Sequence, residues 1–184
     1  YRGTKYICAP WEILVGHIKN TTMKDLKLKF YSPAEDSIEG WEKYSFPIGN
    51  GYAGASVFGG VKKERLQITT NVFANTFDNG GVSDFAEIYI NSGVKEFKNY
   101  KRELDIVNGI ASSCFNYKNT SVKRVAFYNY PENALVYKIT SDKEIEFSVQ
   151  LVIPFLGARS TEQGGRTGSV SAENDCLVMR GSLP

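Results

Sequence analysis

The residues most suggestive of chemistry are the six from Gly49 to Gly54, which fit the G-x-G-x-x-G pattern of dinucleotide-binding loops. In such a loop, glycine lets the backbone approach a pyrophosphate at the start of a helix. The pattern has this meaning only between a buried strand and a helix. Here Pro47 makes the preceding segment a poor central strand, and Gly59 and Gly60 interrupt the segment that follows. We therefore predict a glycine-rich turn between two β-strands and no nucleotide site.

Nucleophilic and metal chemistry have few candidate residues in this chain. The one histidine is His17, and the three cysteines, Cys8, Cys114 and Cys176, are far apart in the sequence. Their spacing gives neither a C-x-x-C metal pair nor a disulfide framework. A Ser-His-Asp or Cys-His system would have to use His17, and nothing near it suggests one. We expect no metal site, no cofactor and cysteines that are buried or incidental thiols.

Acid–base chemistry would need carboxylates, and the candidates considered are Glu42, Glu64, Glu103, Asp105 and Glu146. Most of them stand at alternating polar positions of predicted strands or in turns, where charged side chains are usually solvated. Glu103 and Asp105 share a strand face, but Lys101 and Arg102 beside them offer simple ion pairs. We therefore predict solvated carboxylates and no catalytic residue.

Composition excludes several function classes. With 184 residues, of which 42% are hydrophobic, the chain can bury the core of a single domain. Its 22 basic and 20 acidic residues are well mixed, so there is no basic field for nucleic acid. No apolar stretch approaches the roughly 20 residues of a membrane span, and the short apolar run at 13–15 is no secretory signal. We expect no nucleic-acid partner and no membrane span, and the compartment stays open.

The elements that must position these residues are strands, because the hydrophobic pattern has period 2 from Leu26 onward. Apolar and polar residues alternate over 26–30, 66–68, 88–90 and 145–151, as in half-buried strands. Further strands are predicted at 110–117, 121–128, 134–140 and 176–180. The first two are joined by a hairpin turn at 118–120, the third follows a turn at 130–133, and the fourth follows a polar loop at 160–169. Eight to ten short strands without a long helix predict an antiparallel β-sandwich.

Several ordered sequence blocks resemble a known family, the N-terminal domain of glycoside hydrolase family 95, whose characterised members are mainly α-L-fucosidases. The blocks are residues 31–34 with 41–42, 46–55, 57–61 with 64–67, 99–106, 123–127 and 165–168. The resemblance implies an all-β sandwich of the super-sandwich type, incomplete at its C-terminal end. Two features depart from the family: an acidic pair and an insert are missing after residue 67, and the chain stops where the family continues into an (α/α)6 barrel.

The resemblance also implies a role. The family's catalytic carboxylate and base lie in that barrel, so this chain alone is expected to be inactive. It would be the non-catalytic domain of an inverting α-L-fucosidase-like hydrolase. Its expected partners are the (α/α)6 catalytic domain, on the same or a neighbouring polypeptide, and fucosylated glycans. A docking domain should expose a contiguous apolar patch, which we expect in the aromatic-rich run 115–137.

Two alternatives of other classes stay open. The chain could be a stand-alone carbohydrate-binding β-sandwich module, which a row of exposed aromatic side chains would support. It could also be an interaction domain, or a decayed gene product with no independent function.

Three residues are the candidate site residues of the glycine-rich region: Trp41, Asn50 and Tyr52. They are expected to face the barrel or to lie near substrate, and Trp41 could stack on a pyranose ring. The alternative is that Trp41 and Phe46 are core residues, since large aromatic side chains dominate cores. The glycines expected to shape the loop are Gly49, Gly51, Gly54, Gly59 and Gly60.

The domain organisation follows from where regular patterning begins. Residues 1–22 show no alternation and no helical stripe, and we assign them to no domain. We interpret them as a leader or non-native segment, with Met23 as the natural start. Residues 23–184 are predicted to be the truncated glycosyl hydrolase N-terminal β-sandwich domain.

Overall fold

Strands account for almost all of the regular structure. The computed structural model describes residues 26–75, 81–154, 162–163 and 166–182. Helical structure in these ranges is limited to a short turn around Gly40–Tyr44, and no helix in them is long and apolar enough to cross a membrane. The strands are β1 (Lys27–Phe30), β2 (Phe46–Gly49), β3 (Ala53–Val57), β4 (Lys63–Asn75), β5 (Gly81–Ser92), β6 (Lys98–Asp105), β7 (Ile110–Tyr117), β8 (Thr120–Asn129), β9 (Ala134–Ser141), β10 (Phe147–Val152), β11 (Glu162–Gln163), β12 (Arg166–Glu173) and β13 (Cys176–Ser182).

The strands form three antiparallel sheets. Sheet A has the order β1-β6-β7-β8-β9, sheet B the order β10-β5-β4-β3-β2, and sheet C the order β11-β12-β13. Sheets A and B pack against each other, with β2 and β3 next to β7 and β8. This arrangement confirms the antiparallel β-sandwich predicted from the short alternating strands.

The main core lies between sheets A and B. Its buried members come from both sheets: Phe46, Ile48, Ala55, Val57, Leu66, Leu104, Ala111 and Ala126. A second cluster joins the loop after β3 to sheet A and consists of Val61, Val94, Tyr100, Phe115 and Val122. Phe115 is therefore a core residue and not part of an exposed patch.

Alternation has its predicted meaning in the central strands and a different one at the edges. Leu66 of β4 and Ile90 of β5 are buried, as predicted. Leu28 of β1, and Phe147 and Val149 of β10, are exposed, although their alternation predicted half-buried strands. Both β1 and β10 are edge strands, which have a hydrogen-bonded neighbour on one side only. A hydrophobic pattern of period 2 predicts a strand, but it does not predict whether a second sheet buries the apolar face of that strand.

The hairpins agree with the predicted turns except near the C-terminus. The turns at 118–119 and 130–133 connect β7 to β8 and β8 to β9. Pro47 lies in β2, which is an edge strand of sheet B, as its missing N–H requires. The predicted polar loop at 160–169 is wrong in part, because β12 already begins at Arg166.

Several sequence predictions concern residues outside the described ranges, namely the 1–22 segment, His17 and Cys8. The other two cysteines, Cys114 and Cys176, are exposed free thiols. Of the two alternatives, buried or incidental thiols, burial does not apply to this pair, because Cys114 lies on the outer face of β7 and Cys176 at the start of β13.

Candidate functional site

The glycine-rich segment forms the end of the β2–β3 hairpin. Gly49 pairs with Gly54 across the two antiparallel strands. The Asn50 side-chain oxygen accepts the N–H groups of Tyr52 and Ala53, each at 3.0 Å. Gly51 has φ +90°, which residues with a Cβ adopt only with strain. The segment is thus a turn between two strands, as predicted, and no helix follows it.

Asn50 and Tyr52 meet the β8–β9 turn in a cluster that we call the loop-end cluster, made of Asn50, Tyr52, Tyr130 and Asn133. Asn50 Nδ2 donates to Asn133 Oδ1 at 2.8 Å. The Tyr52 and Tyr130 ring centroids are 5.8 Å apart, and the two side chains are 52% and 62% exposed. Exposed aromatic faces beside amide groups can stack on and hydrogen-bond to a polyol ligand.

Trp41 does not belong to this cluster. It lies in the helical turn before β2, whereas Asn50 and Tyr52 follow β2. The two positions are thus on either side of β2, a strand of four residues that is about 13 Å long. Trp41 is 45% exposed, so it is not the core residue that the alternative interpretation required, while Phe46 is buried.

A fully buried carboxylate, Glu64, lies at the centre of the sandwich. Its Oε1 accepts the Gly59 N–H at 2.7 Å, and its Oε2 accepts the Tyr137 hydroxyl at 2.8 Å and lies 3.5 Å from Arg124 Nη1. Burial raises the pKa of Glu64, and the charge of Arg124 and these hydrogen bonds oppose the rise. Glu64 was predicted to be solvated, which is wrong because its strand position faces the second sheet. Both of its oxygens have protein partners, so its role is structural.

One arginine and one tyrosine hold the loop beside Glu64. Arg124 donates to the carbonyl groups of Gly60 and Val61 at 2.6 and 3.1 Å. Tyr100 Oη donates to the Gly59 carbonyl at 2.7 Å. A Cβ at Gly59, where φ is +75°, would lie 2.5 Å from that hydroxyl. The packing here admits only glycine.

Arg102 also binds backbone carbonyl groups, on the other side of the core. It is buried, with its guanidinium carbon 4.7 and 4.6 Å from the ring centroids of Phe30 and Phe46. It donates to the carbonyl groups of Ser32 and Tyr44 at 2.8 and 2.6 Å. Pairing of Arg102 with Glu103 or Asp105 is therefore wrong, because Arg102 points into the core. Lys101 does pair with Glu103, at 3.1 Å.

The outer face of sheet B carries a second network, which the sequence patterns did not predict. Arg65 forms a salt bridge with the buried carboxylate of Glu87 and lies 2.8 Å from Asp36. Tyr89 Oη donates to Glu87 Oε2 at 2.7 Å. Each carboxylate in this network is bound to a cation or a hydroxyl, as in a structural ion-pair network.

Asp84, beside that network, has a raised pKa. Burial raises its pKa to about 6, while a 2.8 Å hydrogen bond from Gln67 Nε2 opposes the rise. Its Oδ1 has no hydrogen-bond partner within the described residues. A carboxyl group that titrates near neutral pH can exchange a proton with a ligand. Its strand position gave no sequence signal for this property.

Three cavities can be described, and the lining of each contains one carboxylate. The first, about 10 Å³, touches Glu64. The second, about 1110 Å³, adjoins the β7–β8 turn and includes Glu96. The third, about 630 Å³, is a groove between β9 and β10 and includes Glu144. No group of three or more His, Cys, Asp or Glu side chains that could hold a metal occurs in the described ranges.

The β9–β10 groove is apolar and open. Its apolar lining comes from four strands and the connection before β10: Leu66, Ile68, Ile88, Ile90, Leu135, Tyr137, Ile139, Ile145, Phe147 and Val149. The exposed patch predicted within residues 115–137 is therefore displaced, and only Leu135 and Tyr137 of that run contribute to it.

Comparison with known families identifies the domain. Residues 69–184, more than half of the chain, match the glycosyl hydrolase family 65, N-terminal domain. The chain belongs to this family. A comparison with curated proteins gives no match. A glycoside hydrolase N-terminal β-sandwich is thereby shown, whereas the more specific resemblance to family 95 is not supported.

The matched region of this family 65 N-terminal domain contains half of the loop-end cluster. Tyr130 and Asn133 lie inside it, while Asn50, Tyr52 and the buried Glu64 precede it. The β9–β10 groove draws residues from both parts. The match starts at Thr69, within β4. Of the strands before it, β2 and β3 belong to sheet B and β1 belongs to sheet A.

Proposed function

We propose that this chain is the non-catalytic N-terminal domain of an α-L-fucosidase-like glycoside hydrolase and packs against an (α/α)6 catalytic domain. The parent reaction would be inverting hydrolysis of α-L-fucosides. Such a reaction needs two groups about 6.5–9.5 Å apart across a cavity, one to protonate the leaving oxygen and one to activate water. The observation that carries the non-catalytic role is that each described cavity has one carboxylate in its lining.

The β9–β10 groove supports packing against a catalytic domain. Phe147 and Val149 are 52% and 46% exposed and stand beside apolar residues of β4, β5 and β9. A contiguous apolar surface of this kind is unusual on a monomer and typical of an interface. The outer edge of β9 also leaves backbone groups of sheet A available for pairing.

We further propose that Asn50 and Tyr52 face the catalytic domain or its substrate. Two side chains of β4 hold the loop that carries these residues. Asn71 Nδ2 donates to the Gly51 carbonyl, and Thr70 Oγ1 donates to the Tyr52 carbonyl. A loop braced in this way could shape the mouth of an adjacent active site at little entropic cost. Trp41, which precedes β2 whereas Asn50 and Tyr52 follow it, would make a separate contact with the partner.

The experiment is hydrolysis of p-nitrophenyl α-L-fucoside by the chain with and without a separately expressed (α/α)6 domain from a relative. We expect no turnover by the chain alone and a gain in turnover by the catalytic domain when the chain is added. Turnover by the chain alone would contradict the non-catalytic role.

Matched variants locate the contact. Phe147→Ser with Val149→Ser should abolish the gain and the co-elution of the two domains, because it makes the groove polar. Val72→Ser changes another exposed apolar residue of sheet B, outside the groove, and should leave both unchanged. An unaltered gain with the groove variant would refute docking at this surface.

A stand-alone carbohydrate-binding module is the second candidate, and the loop-end cluster is the observation that favours it. Its two exposed tyrosines and two asparagines resemble a sugar-binding surface in chemistry. In that case Tyr52→Ala would abolish glycan binding by the chain alone, while the catalytic domain would show no response to the chain.

A further inference from the structure

The 1110 Å³ cavity lies far from the loop-end cluster. It adjoins the turn that precedes β8, whereas Tyr130 and Asn133 follow β8. The ten residues of β8 place the two sites about 30 Å apart, at opposite ends of sheet A. The cavity is therefore a separate surface, and what it binds does not depend on the proposed docking role.

One wall of this cavity is aromatic and fixed in position. Phe97 is partly exposed, and its ring packs against Tyr100 and Phe115 at centroid distances of 5.7 and 6.2 Å. Tyr117 is partly buried against the same core cluster. Since the core holds these rings from behind, their open sides form a preformed platform suited to the apolar face of a sugar ring.

Another part of the lining consists of unused hydrogen-bonding groups. Asn99, Asn116 and Asn119 line the cavity, and none of their side chains hydrogen-bonds to another group within the described residues. Each amide offers donors and an acceptor, which matches neighbouring hydroxyl groups of a sugar.

Two of the polar lining residues, Asn99 and Lys118, have an uncommon backbone conformation. Asn99 and Lys118 have φ +54° and +52°, a conformation that is uncommon for residues other than glycine. The pairing of β6 with β7 shifts register between Lys98 and Lys101, so Asn99 lies at a bulge. Bulges of this kind redirect side chains and are frequent beside binding sites.

The net positive charge of the lining favours acidic sugars over neutral ones. Lys95, Lys98 and Lys118 face Glu96, so three positive charges oppose one negative charge, a net charge of +2. Lys118 Nζ lies 5.1 Å from the Tyr117 ring centroid, which brings a cation onto the aromatic wall. A neutral glycan would leave these charges unused.

We propose that this cavity binds an acidic oligosaccharide, a glycan whose uronic acid carboxylates pair with the lysines while its rings stack on Phe97. The test is calorimetric titration of the chain with α-1,4-trigalacturonic acid and with its neutral counterpart α-1,4-galactotriose. The acidic trimer should bind saturably and the neutral one more weakly, and the binding should weaken as salt is raised.

Substitutions distinguish the cavity from general charge attraction. Lys98→Gln with Lys118→Asn should weaken binding about tenfold, as the loss of two exposed ion pairs would. Asparagine suits the positive φ at 118, so this variant should fold. Phe97→Leu keeps an apolar contact with the core and removes the platform, and it should weaken binding too. Lys138→Gln, on the exposed side of β9, should bind as the unaltered chain does.

Four results would overturn the proposal. These are no saturable binding of trigalacturonic acid, equal affinity for galactotriose, an equal loss in the Lys138→Gln control, and binding that is unchanged in the lysine and Phe97 variants. None of them bears on whether a catalytic domain is activated, so failure here and failure of the proposed function are separable.

Discussion

Replacement of Arg124 by methionine tests the interpretation of Glu64 as a structural carboxylate. Methionine keeps an unbranched apolar side chain against Phe115, whose ring centroid is 4.9 Å from the guanidinium carbon. It removes the charge that lies 3.5 Å from Glu64 and the donors to the Gly60 and Val61 carbonyl groups. Glu64 is fully buried, so water cannot replace what is lost.

The expected loss is large for a single substitution. Removal of one partner from a buried ion pair costs about 3–5 kcal/mol, because the other charge stays buried and unpaired. A domain of this size has a free energy of unfolding of about 5–15 kcal/mol. Arg124→Met should therefore remove a substantial fraction of the stability, and Glu64→Gln on that background should recover part of it through a coupling of about 0.5–3 kcal/mol.

The loss should also depend on pH. Burial already holds the pKa of Glu64 above its ordinary value of 4.5, and removal of the Arg124 charge should raise it further. A carboxyl group with a raised pKa in the folded state favours folding below its unfolded pKa, and this contribution is lost as the pH rises through the folded pKa. Arg124→Met should thus be closest to the unaltered chain in acid and furthest from it at pH 8.

The assay is urea unfolding followed by far-ultraviolet circular dichroism at several pH values. Arg180→Met is the matched control, since Arg180 pairs with Glu173 on the exposed β12–β13 hairpin. We expect that control to leave the midpoint unchanged, because exposed ion pairs contribute little. If Arg124→Met were no more destabilised than Arg180→Met, or equally destabilised at all pH values, the account of Glu64 would be wrong.

The remaining predictions concern the loop glycines and Asp84. Gly59→Ala should unfold at a lower urea concentration than Gly51→Ala. Both variants incur a backbone cost of about 1–2 kcal/mol at positive φ. Only the Cβ at Gly59 would collide with Tyr100, because the space around Gly51 is open. Equal midpoints would contradict the packing described at Gly59. Asp84→Asn keeps the acceptor for Gln67 and should stabilise the chain by about 1 kcal/mol at pH 7.5, after allowance for solvent screening. The raised pKa of Asp84, about 6, favours folding in acid, so the stability gained by Asp84→Asn should vanish near pH 4. A stability gain that is independent of pH would refute the raised pKa of Asp84.

Turn chemistry and alternation are local, and the sequence predicted the features that depend on them. The β7–β8 and β8–β9 hairpins, the turn at 49–54 and the edge position of β2 follow from residue types that act over a few positions. The β12–β13 hairpin has a similar signal, since Asn174 and Asp175 form a two-residue loop with positive φ at both positions. The predicted loop at 160–169 nevertheless overlaps the first four residues of β12.

Burial depended on the partner sheet. Phe147 and Val149 alternate as Leu66 and Ile68 do, yet the β10 pair is exposed because sheet A ends at β9. Conversely, Glu64 looks like a solvated strand residue in the sequence, and its burial arises from Arg124 and Tyr137 on the opposite sheet, more than fifty positions along the chain. A pattern of alternation contains no information about such distant neighbours.

Strand periodicity and ordered sequence blocks are properties of the chain alone, and they predict an antiparallel β-sandwich of glycoside hydrolase type. Which side chains meet depends on how the strands and sheets pack. Packing brings Asn50 and Tyr52 to Asn133 and Tyr130, and it places Phe97 and Tyr117 around one cavity. Such contacts form between strands that are distant in sequence, and the register of those strands is set when the two sheets pack over a common core.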